Sequence, residues 1–130
     1  MQERLLAEAD VIEAIDFLKV QPALEKLTWN EGIARACRDH AYDMGTNHFF
    51  AHASSDGSNF STRMKRYGTI EGVAGENIAA GFGSGRSCVI ALVIDAGIPS
   101  RGHRNNIFNG NYKLLGVGTG VYGKSANSHC

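Results

Sequence analysis

This chain has no surplus charge, no long apolar run and few cysteines. Its 13 basic and 13 acidic side chains cancel, so the charge balance gives no reason to expect nucleic acid or an anionic membrane as partner. The longest apolar run, Cys88 to Ile94, falls far short of the roughly 20 residues that span a bilayer. Cys37, Cys88 and Cys130 make an odd number with no CxxC spacing. They read as free thiols and say little about compartment. The N-terminus, Met1-Gln2-Glu3-Arg4-Leu5-Leu6, leads into an acidic amphipathic stretch, without the basic-then-apolar order of a signal peptide. Taken literally, that keeps the chain in the cytosol.

Several catalytic and nucleotide motifs are missing as well. There is no Gly-x-Ser-x-Gly nucleophile elbow and no His-Glu-x-x-His. Gly81-Phe82-Gly83-Ser84-Gly85 has neither the Lys-Ser/Thr of a P-loop nor the spacing of a dinucleotide fingerprint, and reads as a flexible connector. No internal repeat or low-complexity tract occurs. What remains is an ordinary soluble composition, 43% hydrophobic and 20% charged over 130 residues. That is one domain, large enough to bury a core without disulfide staples.

Periodicity gives a coarse order of elements. Leu5, Ala9, Ile12, Ile15 and Leu18 recur at helical spacing, predicting an amphipathic helix over residues 3–19 that ends at Gln21-Pro22. Thr28-Trp29-Asn30-Glu31 has the form of a capping box. Ile33, Ala34, Cys37, Ala41 and Met44 follow as one apolar stripe, so a second helix runs to about Met44 and stops at Gly45. Residues 47–58 read as a Ser-rich loop closed by Asp56-Gly57, and Ser58 or Asn59 caps a short helix through Tyr67. A short strand is expected over 73–78. The segment from Cys88 to Asp95 suits a buried strand or a helix, and the Val89, Leu92, Val93 stripe favours helix. Lys113 to Tyr122 alternates, with Gly116, Gly118 and Gly120 on one face, where a helix could approach closely.

Four polar residues stand out against these apolar surroundings. His52 follows Phe49-Phe50-Ala51 and projects into a cleft, or else merely hydrogen-bonds a loop carbonyl. Glu76, between Gly75 and Asn77, is costly inside an apolar stretch unless paired or metal-bound. A salt bridge to Arg63 or Arg104 would serve equally. His103 lies between Gly102 and Arg104 at the start of a short helix, as a cleft residue or as that helix's N-terminal cap. Asp95 closes the preceding helix, pointing into the same space or into solvent. His48 and His52 are four apart, a spacing that would pair two imidazoles on a helix. The intervening Phe-Phe and the Ser-rich loop argue against helix there, so His48 is set aside. Asn59-Phe60-Ser61 is a glycosylation sequon by rule only.

Taken in order, the motifs resemble a family. Leu27-x-Trp29-Asn30, Phe50-Ala51-His52, Asp56-Gly57, Arg63, Gly75-Glu76-Asn77-Ile78-Ala79, Gly102-His103-Arg104-Asn105-Asn106-Ile107 and Gly116-Val117-Gly118 resemble the CAP superfamily. That superfamily comprises cysteine-rich secretory proteins, antigen 5 and pathogenesis-related proteins. The likeness covers Leu24 to Gly123 and is closest to the microbial branch. It implies an α+β fold, a three-layer α–β–α sandwich with a small antiparallel sheet, over residues 21–130, after the N-terminal amphipathic helix of residues 1–20. The tail Ser125 to Cys130 stands where the family has a last strand, so that strand is expected to be missing. By motif match the resemblance places His52 and His103 as metal ligands and Glu76 and Asp95 as cleft acids, with Leu92 where the family has a Trp. It further implies a secreted or extracellular module that holds a divalent ion, with Zn²⁺ favoured by two imidazoles. Its ligands would be lipid, sterol or protein. The alternatives are a metal-assisted peptide or ester hydrolase with Glu76 as general base, and a cleft whose polar residues are purely structural.

Overall fold

The computed structural model describes residues 2–122 and 126–129, with the side chains of residues 8–121. Two compact units emerge from the packing, Met1–Glu25 with Ser84–Gly110 and Lys26–Gly83 with Asn111–Cys130.

The first unit is helical. α1 (Gln2–Val20), α4 (Gly85–Ile94) and α5 (Gly102–Ile107) pack together. The Cys88–Asp95 segment is helix, as the stripe favours. Ser84 caps α4 and exchanges hydrogen bonds with Ser87 in a capping box. The inward face of α1 departs from its hydrophobic period. Ile12, Ile15 and Leu18 lie 60%, 48% and 46% exposed, while Ala14 is buried. Asp10, Glu13 and Phe17 instead meet Arg101, Arg104 and Phe108. The reason is electrostatic: two guanidiniums behind α1 need carboxylates, and the helix turns toward them the face that carries acids.

The second unit is a helix-on-sheet arrangement. β1 (Thr28–Trp29) pairs in parallel with β3 (Leu114–Leu115). β2 (Ala79–Ala80), β5 (Ala126–His129) and β4 (Thr119–Tyr122) form an antiparallel sheet in the order β2-β5-β4. α2 (Glu31–Asn47) packs on β4 and β5, with α3 (Phe60–Lys65) against it. Ala34, Ala36, His40, Ala41 and Met44 are the buried face of α2.

Several boundaries correct the sequence reading. Asn30, not Thr28, caps α2, its side chain accepting from the Ile33 N–H, because Thr28 and Trp29 are committed to β1. Gly45 does not stop α2. An interior glycine costs only about 1 kcal/mol, and the helix runs on to Asn47, where His48 closes it in the left-handed region at φ 54° with its N–H on the Met44 carbonyl. The strand expected over 73–78 is confined to Ala79–Ala80, leaving Glu76 on irregular backbone. The family's last strand is not missing: residues 126–129 form β5, the middle strand of the sheet. Its sequence lacks apolar alternation, and it is built by backbone pairing on both sides. Cys37 Sγ lies 3.7 Å from the Gly116 carbonyl, Cys88 is a buried thiol, and Cys130 lies outside the described residues.

The glycine face was legible and is decisive. Gly116 and Gly118 are buried, and a Cβ at either would collide with the α2 backbone at Ile33–Ala34 and Cys37–Arg38. At Gly120 it would fall 2.9 Å from Ala41 C. Backbone stands directly against backbone, so the helix cannot yield by a rotamer change. Gly118→Ala is therefore expected to destabilise by at least the roughly 1–3 kcal/mol of ordinary overpacking, whereas Gly83→Ala, with open space around it, should stay within about 0.5 kcal/mol. Urea unfolding of the two variants checks this, and equal midpoints would refute the close approach.

Candidate functional site

In the second unit the site is built around a buried arginine. Asn59 caps α3 through the Thr62 N–H, which sets the helix that carries Arg63. That guanidinium is 2% exposed. Its Nη1 donates to the His52 carbonyl at 2.8 Å, the Ser54 hydroxyl at 3.0 Å and the Ser58 carbonyl at 3.4 Å. Its Nη2 donates to Glu76 Oε2 at 2.5 Å. The other Glu76 oxygen, Oε1, meets His52 Nδ1 at 2.8 Å. Of the partners that the sequence offered for Glu76, Arg63 is the one used; Arg104 binds Glu13 instead. Glu76 is nearly buried, at 9% side-chain exposure, whereas His52 is 56% exposed. The loop is pinned further by Asp43, which takes the Ser55 N–H and hydroxyl.

His40 lies beneath the loop and is completely buried. Its Nε2 sits 2.8 Å from the Ala51 carbonyl and its Nδ1 3.4 Å from Ser54 Oγ. Burial lowers its pKa below the ordinary 6.5, the Arg63 charge adding to this against the opposing Ala51 hydrogen bond. Sequence reasoning passed over this residue. A signal was present: His40 falls in the apolar stripe of α2, seven residues after Ile33 and four before Met44, where a polar side chain must find partners.

The first unit holds the second imidazole. Asp95 caps α4 in the left-handed region at φ 53°, a conformation that Asp tolerates better than most residues. Its carboxylate accepts the His103 backbone N–H at 2.9 Å and meets His103 Nδ1 at 2.7 Å. Asp95 is thus no solvated helix end, being 4% exposed. Nor is His103 the cap of α5. Arg101 occupies that position, without a side-chain capping bond, and the Asp95 carboxylate supplies the acceptor.

Two arginines fasten this pair. Arg101 donates from Nη1 to the Asp95 carbonyl at 2.6 Å and from Nη2 to Asp10 at 2.5 Å. Arg104, 1% exposed, grips Glu13 through both Nη atoms at 2.7 Å. Its Nε donates to the Val93 carbonyl at 2.5 Å, and it lies over the Phe17 ring at 4.9 Å. These hydrogen bonds hold Asp10 and Glu13 below their ordinary pKa values of 3.8 and 4.5.

The structure therefore brings the four sequence candidates together as two imidazole–carboxylate pairs, His52 with Glu76 in one unit and His103 with Asp95 in the other. His48 has no part in either pair. Among the described residues no three His, Cys, Asp or Glu side chains gather as a metal-holding group. The chemistry of each pair still fits an imidazole ligand. A carboxylate on Nδ1 selects the Nδ1–H tautomer and makes Nε2 the lone-pair nitrogen, the usual outer partner of a metal-bound histidine.

Two outcomes follow. Arg63→Met leaves the Glu76 carboxylate buried without its cation and should cost about 3–5 kcal/mol, while adding Glu76→Gln should recover much of that loss; equal stability of the single variant and wild type in urea would contradict the pairing. Because Asp10 and Glu13 have depressed pKa values in the fold, their contribution is fully present above the ordinary 3.8 and 4.5. It is lost as pH falls through the lower folded values. The acid unfolding profile of an Asp10→Asn/Glu13→Gln variant should be flatter in that range than that of wild type.

Comparison with known proteins gives this chain a family. The family model for the cysteine-rich secretory protein family, CAP, matches residues 21–130. Two Bacillus subtilis (strain 168) proteins are similar. "Uncharacterized membrane protein YlbC" is 30% identical over 112 residues, covering 86% of this chain and 31% of that protein. "Uncharacterized protein YkwD" is 32% identical over 111 residues, covering 85% and 41%. The chain thus spans about a third to two fifths of the length of these relatives. No helix among its described residues is long and apolar enough to cross a membrane. An extracellular SCP-domain protein of Bacillus anthracis str. Ames superimposes with TM-score 0.65 at 26% identity, over 97% of this chain and 38% of that one. An outer surface protein of Borrelia burgdorferi does so with TM-score 0.69 at 16% identity, over 97% and 86%. The likeness to the second structure is one of fold alone. With motif order, α+β architecture and a family match over most of its length in agreement, the chain belongs to the CAP, or cysteine-rich secretory protein, family.

Proposed function

We propose that this CAP domain is a secreted-type binding module in which each imidazole–carboxylate pair, His52–Glu76 and His103–Asp95, supplies a donor for divalent metal, Zn²⁺ before others. The observation that carries this reading is the bond from each imidazole Nδ1 to a nearly buried carboxylate, at 2.8 Å and 2.7 Å. With the Nδ1 proton committed there, Nε2 keeps its lone pair, and the acids orient the ligands from outside the coordination shell. Imidazole suits Zn²⁺ well. A bound ion would supply Lewis acidity or a fixed positive charge for recognising a partner. Lipid, sterol or protein remains the proposed ligand class, and an extracellular setting is proposed from the extracellular SCP-domain neighbour.

The hydrolase alternative gains no support. A general base must take a proton from a reacting water. Both oxygens of Glu76 are already engaged, one by Arg63 and one by His52, and that engagement suits holding an imidazole better than proton transfer.

Calorimetric titration with Zn²⁺ tests the proposal, the wild-type stoichiometry counting the ions bound. Removing a ligand as His52→Ala or His103→Ala should weaken binding at least tenfold, and the double variant should abolish the heat. Affinity should also fall in acid, because only neutral imidazole ligates. Undiminished heat in the double variant would overturn the assignment. Peptide and ester turnover that appears only without chelator would favour the hydrolase instead.

A further inference from the structure

The buried network under the 49–58 loop contains one titratable side chain with no role in the proposed chemistry, His40. Its proton position follows from its neighbours. An arginine N–H can only donate, so Ser54 Oγ is the acceptor from Arg63 Nη1 at 3.0 Å. That turns the Ser54 hydroxyl proton toward His40 Nδ1, 3.4 Å away. His40 is left with its proton on Nε2, which donates to the Ala51 carbonyl at 2.8 Å. Every donor direction from the guanidinium to the loop carbonyl is thereby set, and the neutral form of His40 is the one that fits.

This chain of bonds converges on His52. The carbonyls of Ala51 and of His52 itself are taken by His40 Nε2 and Arg63 Nη1, at 2.8 Å each. The same Arg63 holds Glu76, whose second oxygen holds the His52 imidazole. We propose that His40 is a positioning residue for His52: it clamps the backbone before His52 directly and, through Ser54 and Arg63, the carboxylate that sets the His52 tautomer. A neutral histidine suits this place because it is a rigid ring with a donor on one edge and an acceptor on the other. An apolar side chain of similar bulk would fill the volume and leave Ala51 O and Ser54 Oγ without these partners. The inference rests on the reading that His52 acts through Nε2, and it adds a residue that never touches the ion.

Long-range ¹H–¹⁵N spectra of the imidazoles in metal-free protein near pH 8 test it without reference to metal. Wild type should show His40 as the Nε2–H tautomer and His52 as the Nδ1–H tautomer; His40 as Nδ1–H would overturn the proposal at once. In His40→Leu, His52 should relax to the mixed tautomers of a free imidazole. The affinity of the intact chain for Zn²⁺ should fall about 10- to 100-fold, the usual effect of losing an outer-shell partner. His40→Gln, which keeps a donor and an acceptor in reach, should restore part of both. If His40→Leu fails to fold, Ser54→Ala carries the test, since it breaks the relay with little loss of bulk and should shift the His52 spectrum in the same direction. A folded variant with the His52 spectrum of wild type would overturn the proposal. Should wild type bind no Zn²⁺, the metal reading fails while the tautomer spectra still decide the role of His40.

Discussion

A guanidinium cannot shed its charge on burial, and each unit of this chain buries one almost completely, Arg63 and Arg104. Much of the local geometry is the consequence. Burying such a group is tolerable only when a carboxylate and several carbonyls surround it, so each arginine dictates where an acid and a stretch of backbone must lie. Arg63 draws in Glu76 and the carbonyls of His52 and Ser58. Arg104 draws in Glu13 and the last carbonyls of α4. The imidazoles are placed around these anchors. His52 reaches its carboxylate because Arg63 has already fixed it, and Asp95 is held by its carbonyl to Arg101 while its carboxylate reaches His103.

The second constraint is steric. Three glycines at alternate positions let α2 lie against the strand segment backbone to backbone, and α2 brings His40 under the loop that presents His52. A glycine pattern in one segment therefore governs the height at which a polar network in another can form. The two constraints are of different kinds. Loss of one charge would break the first by leaving its partner unpaired, and side-chain methyl groups would break the second by overlap.

The candidate residues were legible through the order of motifs that resemble the CAP family, and three of them also sit where composition makes them anomalous. Glu76 stands in an apolar run, His52 follows two phenylalanines, and His103 is flanked by Gly102 and Arg104. The glycine alternation before Tyr122 was equally readable, since period-two spacing maps directly onto one face of a strand. Reading failed where a local rule met a tertiary demand. The apolar period of α1 assigned Ile12, Ile15 and Leu18 to the inside, but the helix instead turns Asp10 and Glu13 toward the arginines of the 101–104 segment. Gly45 carried a stop signal too weak to outweigh the packing of α2. β5 carried no signal at all, because its backbone pairing leaves no trace in residue pattern.

By itself, the sequence determined the order of the helices and, through motifs that resemble the CAP family, marked the class of the molecule and two imidazoles and two carboxylates as candidates. Those features depend on residue type and short-range spacing, which are local properties. Tertiary structure alone decided the pairing: Glu76 to Arg63 and His52, Asp95 to His103, Glu13 to Arg104, and His40 to the carbonyl before His52. The reason is physical. A charge or a ring nitrogen states what kind of partner it needs, but many residues of that kind are available along the chain. Only the packed backbone selects the one that stands within about 3 Å, the reach of a hydrogen bond.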